Sequence, residues 1–300
     1  MIRSILTPSI RLDRLVPLLY RQLLGRDPRA EEMRDDLQSL NGTDLPESIQ
    51  SLLRRLLNLE EAGAALGTRL LKASRSHSAD QRDPVRFVMS LGTHCFTSSM
   101  LGRLDLRHFA GPFDWLFSNL GMIAHCIRDD FVTFLDARNY EIIPPAERLD
   151  PTVNLCEHLY YLKEFGQRYV FNHTDPTTEQ GYAYLNRCVQ RLHAVLAEPA
   201  RKLFVCVTGR AAYSAQQLAN VVDALLARST CCELLCVIVD EPVPNSVFPI
   251  ITPIEGVSGA EVFALQPLSI LGGTRFDDPI DELAIARLIS SKRIDLATVP

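Results

Sequence analysis

Residues 202–207 (KLFVCV) and 234–239 (LLCVIV) are short, nearly continuous apolar runs, and between them Leu218 to Leu226 repeats at helical spacing. A strand built from such a run has no polar face to offer water. It must be covered on both sides, as strands of a parallel sheet are. Two further runs, at 85–89 and 261–265 (EVFAL), and a shorter one at Tyr169, Val170 and Phe171, read as more strands. Helical stretches lie between them: Cys95 to about Leu104, Ile123 to Leu135, and Tyr182 to Leu196 with Leu185, Val189, Leu192 and Leu196 facing inward. Asp281 to Ile289, behind Pro279, closes the chain. The expected fold class is α/β, a largely parallel sheet with helices on both faces.

The first 72 residues follow a different pattern. Leu12, Leu15, Val16, Leu18, Leu19, Leu23 and Leu24 mark a helix that Gly25 stops. Asp27 is placed to cap a second helix, with Pro28 in its first turn and Met33, Leu37 and Leu40 on its apolar face. After a break at Asn41, Gly42 and Thr43, Pro46 opens a third helix carrying Ile49, Leu52, Leu53, Leu56 and Leu57, with a continuation through Leu66 and Leu70. Residues 73–84 (ASRSHSADQRDP) are polar and end in Asp-Pro, which favours extended backbone. The expected division is a helical module at 1–72, a linker at 73–84 and an α/β unit at 85–300.

Composition supports a packed protein: 47% of the 300 residues are hydrophobic and 22% charged. The net charge of -5 argues against a nucleic-acid partner. No run of 18 apolar residues exists for a membrane span, and Arg3, Arg11, Asp13 and Arg14 interrupt any leader-like run, so a cytoplasmic location is expected. The eight cysteines contain no CxxC pair, and Cys231, Cys232 and Cys236 lack a second ligand pair at zinc spacing. Cys206 and Cys236 lie in the apolar runs and read as core thiols. Phosphate-loop, dinucleotide, HExxH and GxSxG signatures are all missing, so no cofactor or metal is expected; Asp240-Glu241 is a lone acidic pair.

The segment 90–104 (SLGTHCFTSSMLGRL) carries the chemistry. A strand end, a turn at Gly92, Thr93 and His94, and Cys95 at a helix start place unpaired N–H groups beside a sulfur. Such a site favours thiolate and offers oxyanion donors; the other reading is a buried structural cysteine beside a tight turn. Among seven histidines, His173 follows the 169–171 run and is the first choice for a base, with Asp175 or Asp114 to orient it. Residues 112–115 (PFDW) join Asp114 to the single tryptophan, Trp115, which reads either as a packed corner or as part of the site. Gly92, Thr93, His94, Trp115 and Arg210 complete the candidate substrate contacts, Arg210 as an anion ligand or a solvated loop residue.

The motifs SLGTHC and LGRLDLRHFAGPFDWLFSN, with DDFVTFLD at 129–136 and the later histidine, resemble a bacterial family designated papain-like cysteine peptidases, over about residues 86–240. The resemblance implies Cys95 as nucleophile and His173 as its partner, and raises a papain-like α+β fold as the alternative architecture. The family tends to carry His-Asp directly, whereas Thr174 separates His173 from Asp175 here. At the N-terminus, Tyr20, Leu24, Gly25, Arg26 and Pro28 resemble a helical module that accompanies bacterial surface-glycan enzymes. That resemblance implies an interaction or positioning role and a protein partner.

Two functions follow as expectations. One is a thiol-dependent hydrolase or acyl transferase acting on a peptide, an amide or an acylated glycan, with Cys95 alkylated well below pH 8. The other is a non-catalytic or glycan-associated binding or modifying protein linked to surface polysaccharide.

Overall fold

A computed structural model describes residues 11–41, 44–76, 82–148, 150–243 and 246–297. Four helices come first: α1 (Leu12–Leu23), α2 (Ala30–Leu40), α3 (Leu45–Leu57) and α4 (Glu60–Ser76). Then follow β1 (Val85–Ser90), α5 (Phe96–Arg103), α6 (Leu120–Arg128), β2 (Tyr140–Ile142), β3 (Cys156–His158), α7 (Leu159–Phe165) and α8 (Glu179–Ala197). The chain ends with β4 (Arg201–Gly209), α9 (Ala215–Arg228), β5 (Cys232–Val239), β6 (Ile250–Ile254), β7 (Ala260–Gln266), β8 (Leu271–Gly272), β9 (Arg275–Phe276) and α10 (Pro279–Ser290).

The main sheet has the order β1-β4-β5-β7-β6, with the first four strands parallel and β6 antiparallel to β7. Cys206 and Cys236 are direct partners on β4 and β5, both buried, as apolar central strands require. One face is covered by α6, α8 and α9 through residues such as Ile123, Leu192 and Val221. The other is covered by α5 and α10 through Met100, Leu101, Ile285 and Ile289. The fold is α/β, as the buried runs imply, and not the papain-like α+β alternative. Beyond β1, residues 293–297 extend the sheet edge, with Asp295 N–H donating to Val85 O at 3.0 Å.

Val16, Tyr20, Leu40, Leu52 and Leu56 from the N-terminal helices form a third cluster, which also takes in Ile280 of α10. The Tyr20 hydroxyl donates to buried Asp36 at 2.9 Å, and Arg26 lies over the Tyr20 ring while bonding Glu32 and Glu61. Contacts then cross to the sheet unit. Arg54 reaches Asp278 at 2.6 Å and Gln50 donates to Val247 O at 2.9 Å. A Cβ on Gly67 would stand 2.1 Å from Leu104 O, so α4 meets the end of α5 at a distance only glycine permits.

Several sequence expectations are corrected. Asp27 does not cap α2; it pairs with Arg21, and the helix begins at Ala30 with the Glu32 carboxylate accepting the Arg29 N–H. The helix expected to reach Leu135 ends at Arg128, because Asp130 and Phe131 both turn left-handed. Residues 169–171 lie outside the main sheet: Tyr169 is left-handed at φ 57, and Phe171 bridges antiparallel to Cys156 beside the β2–β3 pair. Gly42, Thr43 and residues 77–81 of the expected linker fall outside the described residues, as does the Leu70 side chain, while residues 73–76 of that linker belong to α4.

Candidate active site

The turn after β1 is tied down from three sides. Ser90 Oγ accepts the Gly92 N–H at 3.0 Å, while the Thr93 hydroxyl donates to Val207 O and the Val207 N–H donates to Thr97 Oγ1. Ser118 donates its N–H to Thr93 O and its hydroxyl to Gly92 O, both at 3.0 Å. The loop thus hangs between the end of β4 and the 112–118 segment. A Cβ on Gly92 would lie 2.8 Å from His94 O and 2.9 Å from Thr97 Oγ1. The bend that delivers Cys95 therefore needs glycine, a close-approach role that the SLGTHC motif displays in sequence.

His94 faces the helix: its Nδ1 accepts the Phe96 N–H at 3.3 Å, in the manner of a capping side chain. Burial pushes its imidazole below the usual value. Cys95 itself is 5% exposed. Burial pushes its thiol up; Asn172 and the Cys95 backbone N–H pull down more weakly, and the Asp114 carboxylate adds to the rise. Desolvation therefore acts against the thiolate that the start of the eight-residue helix would favour.

Asn172 is the residue the sequence did not single out. Its amide nitrogen stands 3.9 Å from Cys95 Sγ and 2.8 Å from His173 Nε2. Its Oδ1 accepts the Asn154 N–H at 2.9 Å. A backbone N–H can only donate, so Oδ1 must face Asn154 and the NH2 group must face the sulfur and the imidazole. His173 Nε2 is then the acceptor, and the neutral ring carries its proton on Nδ1. The only sequence cue for Asn172 is a polar residue at the point where an apolar run gives way to histidine.

His173 is exposed, stands edge-on to Trp115 with ring centroids 6.1 Å apart, and is held somewhat below its usual pKa by desolvation. The structure does not bring Asp175 to its ring. Asp175 Oδ1 accepts from the Thr177 N–H and hydroxyl, which shapes the turn into α8. Asp114, 1% exposed, accepts from the Gly111 N–H at 2.8 Å and from Arg107 at 3.0 Å, and burial pushes its carboxyl up. Arg107 also lies over the Trp115 ring. Thus Asp114 reaches His173 only through Arg107 and Trp115. Arg210 pairs with Asp240 at 2.6 and 2.9 Å at the ends of β4 and β5, which also occupies the acidic residue considered above for a metal. Among the described residues no group of three His, Cys, Asp or Glu side chains is placed to hold a metal ion.

Of the other described histidines, His108 is exposed, His193 faces Asp130, and His125 and His158 pack among aromatic rings. His158 is fully buried, its Nε2 3.1 Å from Thr133 O, and burial pushes its imidazole down to about 4. His125 meets the Tyr160 hydroxyl at 3.1 Å. His77 lies outside the described residues. No helix among them is long and apolar enough to cross a membrane.

Comparison with known proteins adds one finding. Residues 86–240 match the model of the family DUF1796, described as "putative papain-like cysteine peptidase". No curated protein and no solved structure matches the chain. The matched segment runs from β1 to the end of β5, covers more than half the chain, and includes Cys95, Asp114, Trp115, Asn172 and His173. The chain belongs to the family DUF1796.

Proposed function

We propose that the protein is a thiol-dependent hydrolase that cleaves a peptide or related amide bond through an acyl-thioester on Cys95, with His173 as general base and acid. The observation that carries this reading is the Asn172 amide, which touches both Cys95 Sγ and His173 Nε2. Those two legs, 3.9 and 2.8 Å, bound the distance between sulfur and imidazole.

In this reading the pair is neutral at rest. His173 takes the thiol proton as sulfur attacks the carbonyl carbon, so nucleophile and base are made together and no stored ion pair is needed. The imidazole then protonates the leaving nitrogen, and water, deprotonated by the same ring, releases the acid and restores the thiol. The lowered pKa of His173 suits this role, since the ring stays unprotonated at neutral pH. The four N-terminal helices dock on α10 and are proposed to position the sheet unit against a protein partner.

The experiment is incubation with a diverse peptide mixture, followed by mass spectrometry of new termini and of Cys95. Wild type should cleave and carry acyl groups on Cys95, while Cys95→Ala should do neither with its fold intact. Full cleavage by Cys95→Ala removes the proposal. The non-catalytic reading draws on the 5% exposure of Cys95, and absence of cleavage by wild type would favour it.

A further inference from the structure

Beside His173 the chain closes a small apolar pocket. Its lining includes buried Pro112, Phe171 and Leu185 and half-buried Trp115, Thr174 and Tyr184. Trp115 and Thr174 both adjoin the base: one meets the His173 ring edge-on, and the other is its neighbour in the chain. Cys95 does not line it. The enclosed volume is about 10 Å3, room for one water-sized group.

The walls are held so that this space resists widening. Phe171 O accepts the Leu155 and Cys156 N–H groups at 3.0 and 3.3 Å, and the Phe171 N–H donates to Cys156 O at 3.1 Å. Arg107 lies over the Trp115 ring and is tied to Asp114, while the Phe117 N–H donates to Val170 O and joins this segment to the one carrying Phe171. On the third side α8 is pressed against the loop that follows His173. A Cβ on Gly181 would run into the Asp175 carbonyl oxygen, a backbone atom that also accepts the Thr178 hydroxyl at 2.8 Å. That approach, open only to glycine, fixes the helical turn carrying Tyr184 and Leu185.

A rigid apolar pocket of this size selects by exclusion. A methyl group gains by leaving water there, and each further carbon must displace packed side chains. In the proposed reaction His173 protonates the leaving nitrogen, so a pocket on the flank of the imidazole receives the residue on that side of the cut. We infer that this pocket takes the side chain of the substrate residue that follows the cleaved bond, admitting alanine or glycine and excluding larger residues. The inference rests on the Cys95–His173 reading and adds the substrate class, peptides cut before a small residue. Tyr184 is the specificity-determining residue, because loss of its ring opens the pocket while the anchors at Phe171 and Gly181 stay in place.

A library of synthetic peptides with randomised centres, read by mass spectrometry, reports the residue after each cut. Wild type should cut before alanine or glycine at least about tenfold more often than before leucine or phenylalanine. Tyr184→Ala should lower that ratio by about tenfold, while Tyr184→Phe, which keeps the ring, should hold it. Thr174→Ile narrows the pocket from the other side and should raise glycine over alanine. Wild-type cleavage with no size preference after the cut, or a preference that neither Tyr184→Ala nor Thr174→Ile moves, overturns the pocket assignment and leaves Cys95 as nucleophile. If wild type cuts no peptide and iodoacetamide never labels Cys95, the nucleophile reading itself fails and takes this one with it.

Discussion

Asp114 Oδ2 lies 3.0 Å from Arg107 Nη1 and accepts the Gly111 N–H, yet makes no hydrogen bond to His173 among the described residues. Its charge reaches the site through space, where it raises the Cys95 thiol. Asp114→Asn keeps an acceptor for Gly111 and removes that charge. The midpoint of Cys95 alkylation with pH should shift to lower pH, with iodoacetamide labelling at pH 7.5 faster than in wild type. A third member of a triad would behave otherwise: turnover would fall and the thiol titration would stay put. The rate of labelling, followed by peptide mass spectrometry across pH 6 to 10, distinguishes the two.

The resting pair sets a pH profile of its own. Burial raises Cys95, so the thiolate fraction is small at neutral pH and grows as pH passes the ordinary thiol range. Desolvation lowers His173, so protonation of the base begins only below the usual imidazole value. Iodoacetamide at pH 7 should therefore modify half-buried Cys231 before Cys95, the reverse of the order expected from the helix start alone. His173→Ala should leave the Cys95 titration nearly unmoved, because no imidazolium stabilises the thiolate at rest. A profile with fast Cys95 labelling at pH 6 that His173→Ala abolishes would show a stored ion pair instead.

The parallel core was legible because β4, β5 and β7 are apolar on both faces, and covered strands leave that mark. β6 left no comparable mark: it is a largely exposed edge strand of five residues, broken in its middle by Thr252 and Pro253. The 169–171 run misled for a physical reason. Phe171 is buried against Phe134, Tyr140 and His158, so its hydrophobicity serves a side cluster and not the sheet. At the site, the Gly92 bend and Cys95 could be read from spacing, since strand end, glycine and helix start are adjacent in sequence. Asn172 could not, because its function depends on Asn154 and Cys95, which are distant in sequence and meet only in the folded chain.

Gly67 tests how the N-terminal helices depend on the sheet unit. A methyl group there would collide with the Leu104 carbonyl, which is backbone and cannot turn aside. Gly67→Ala should cost about 1–3 kcal/mol in urea unfolding. Removing residues 1–72 is the larger change, exposing Ile280 and leaving Asp278 without Arg54. The remainder should still unfold cooperatively, with a lower midpoint and a greater tendency to aggregate, since the two sheet faces keep most of their covering helices. Loss of the cooperative transition would show that the helices and the sheet share one core.

Lys202 gives a prediction independent of the site. It is fully buried on β4, and its ammonium donates to Glu198 O, to Ala200 O at 2.8 Å and to Ser229 Oγ at 3.0 Å. Those acceptors belong to the end of α8 and the turn after α9, so one cation closes two helix termini that no glycine caps. Lys202→Met keeps the length of the side chain and removes all three donors. Two carbonyls would then remain buried beside a thioether, at a cost of about 2–4 kcal/mol in chemical denaturation. The Cys95 alkylation profile should not change, because Lys202 lies at the opposite end of the strands from Cys95. An unaltered unfolding midpoint would mean that water reaches those carbonyls and that the lysine is not what holds the two termini together.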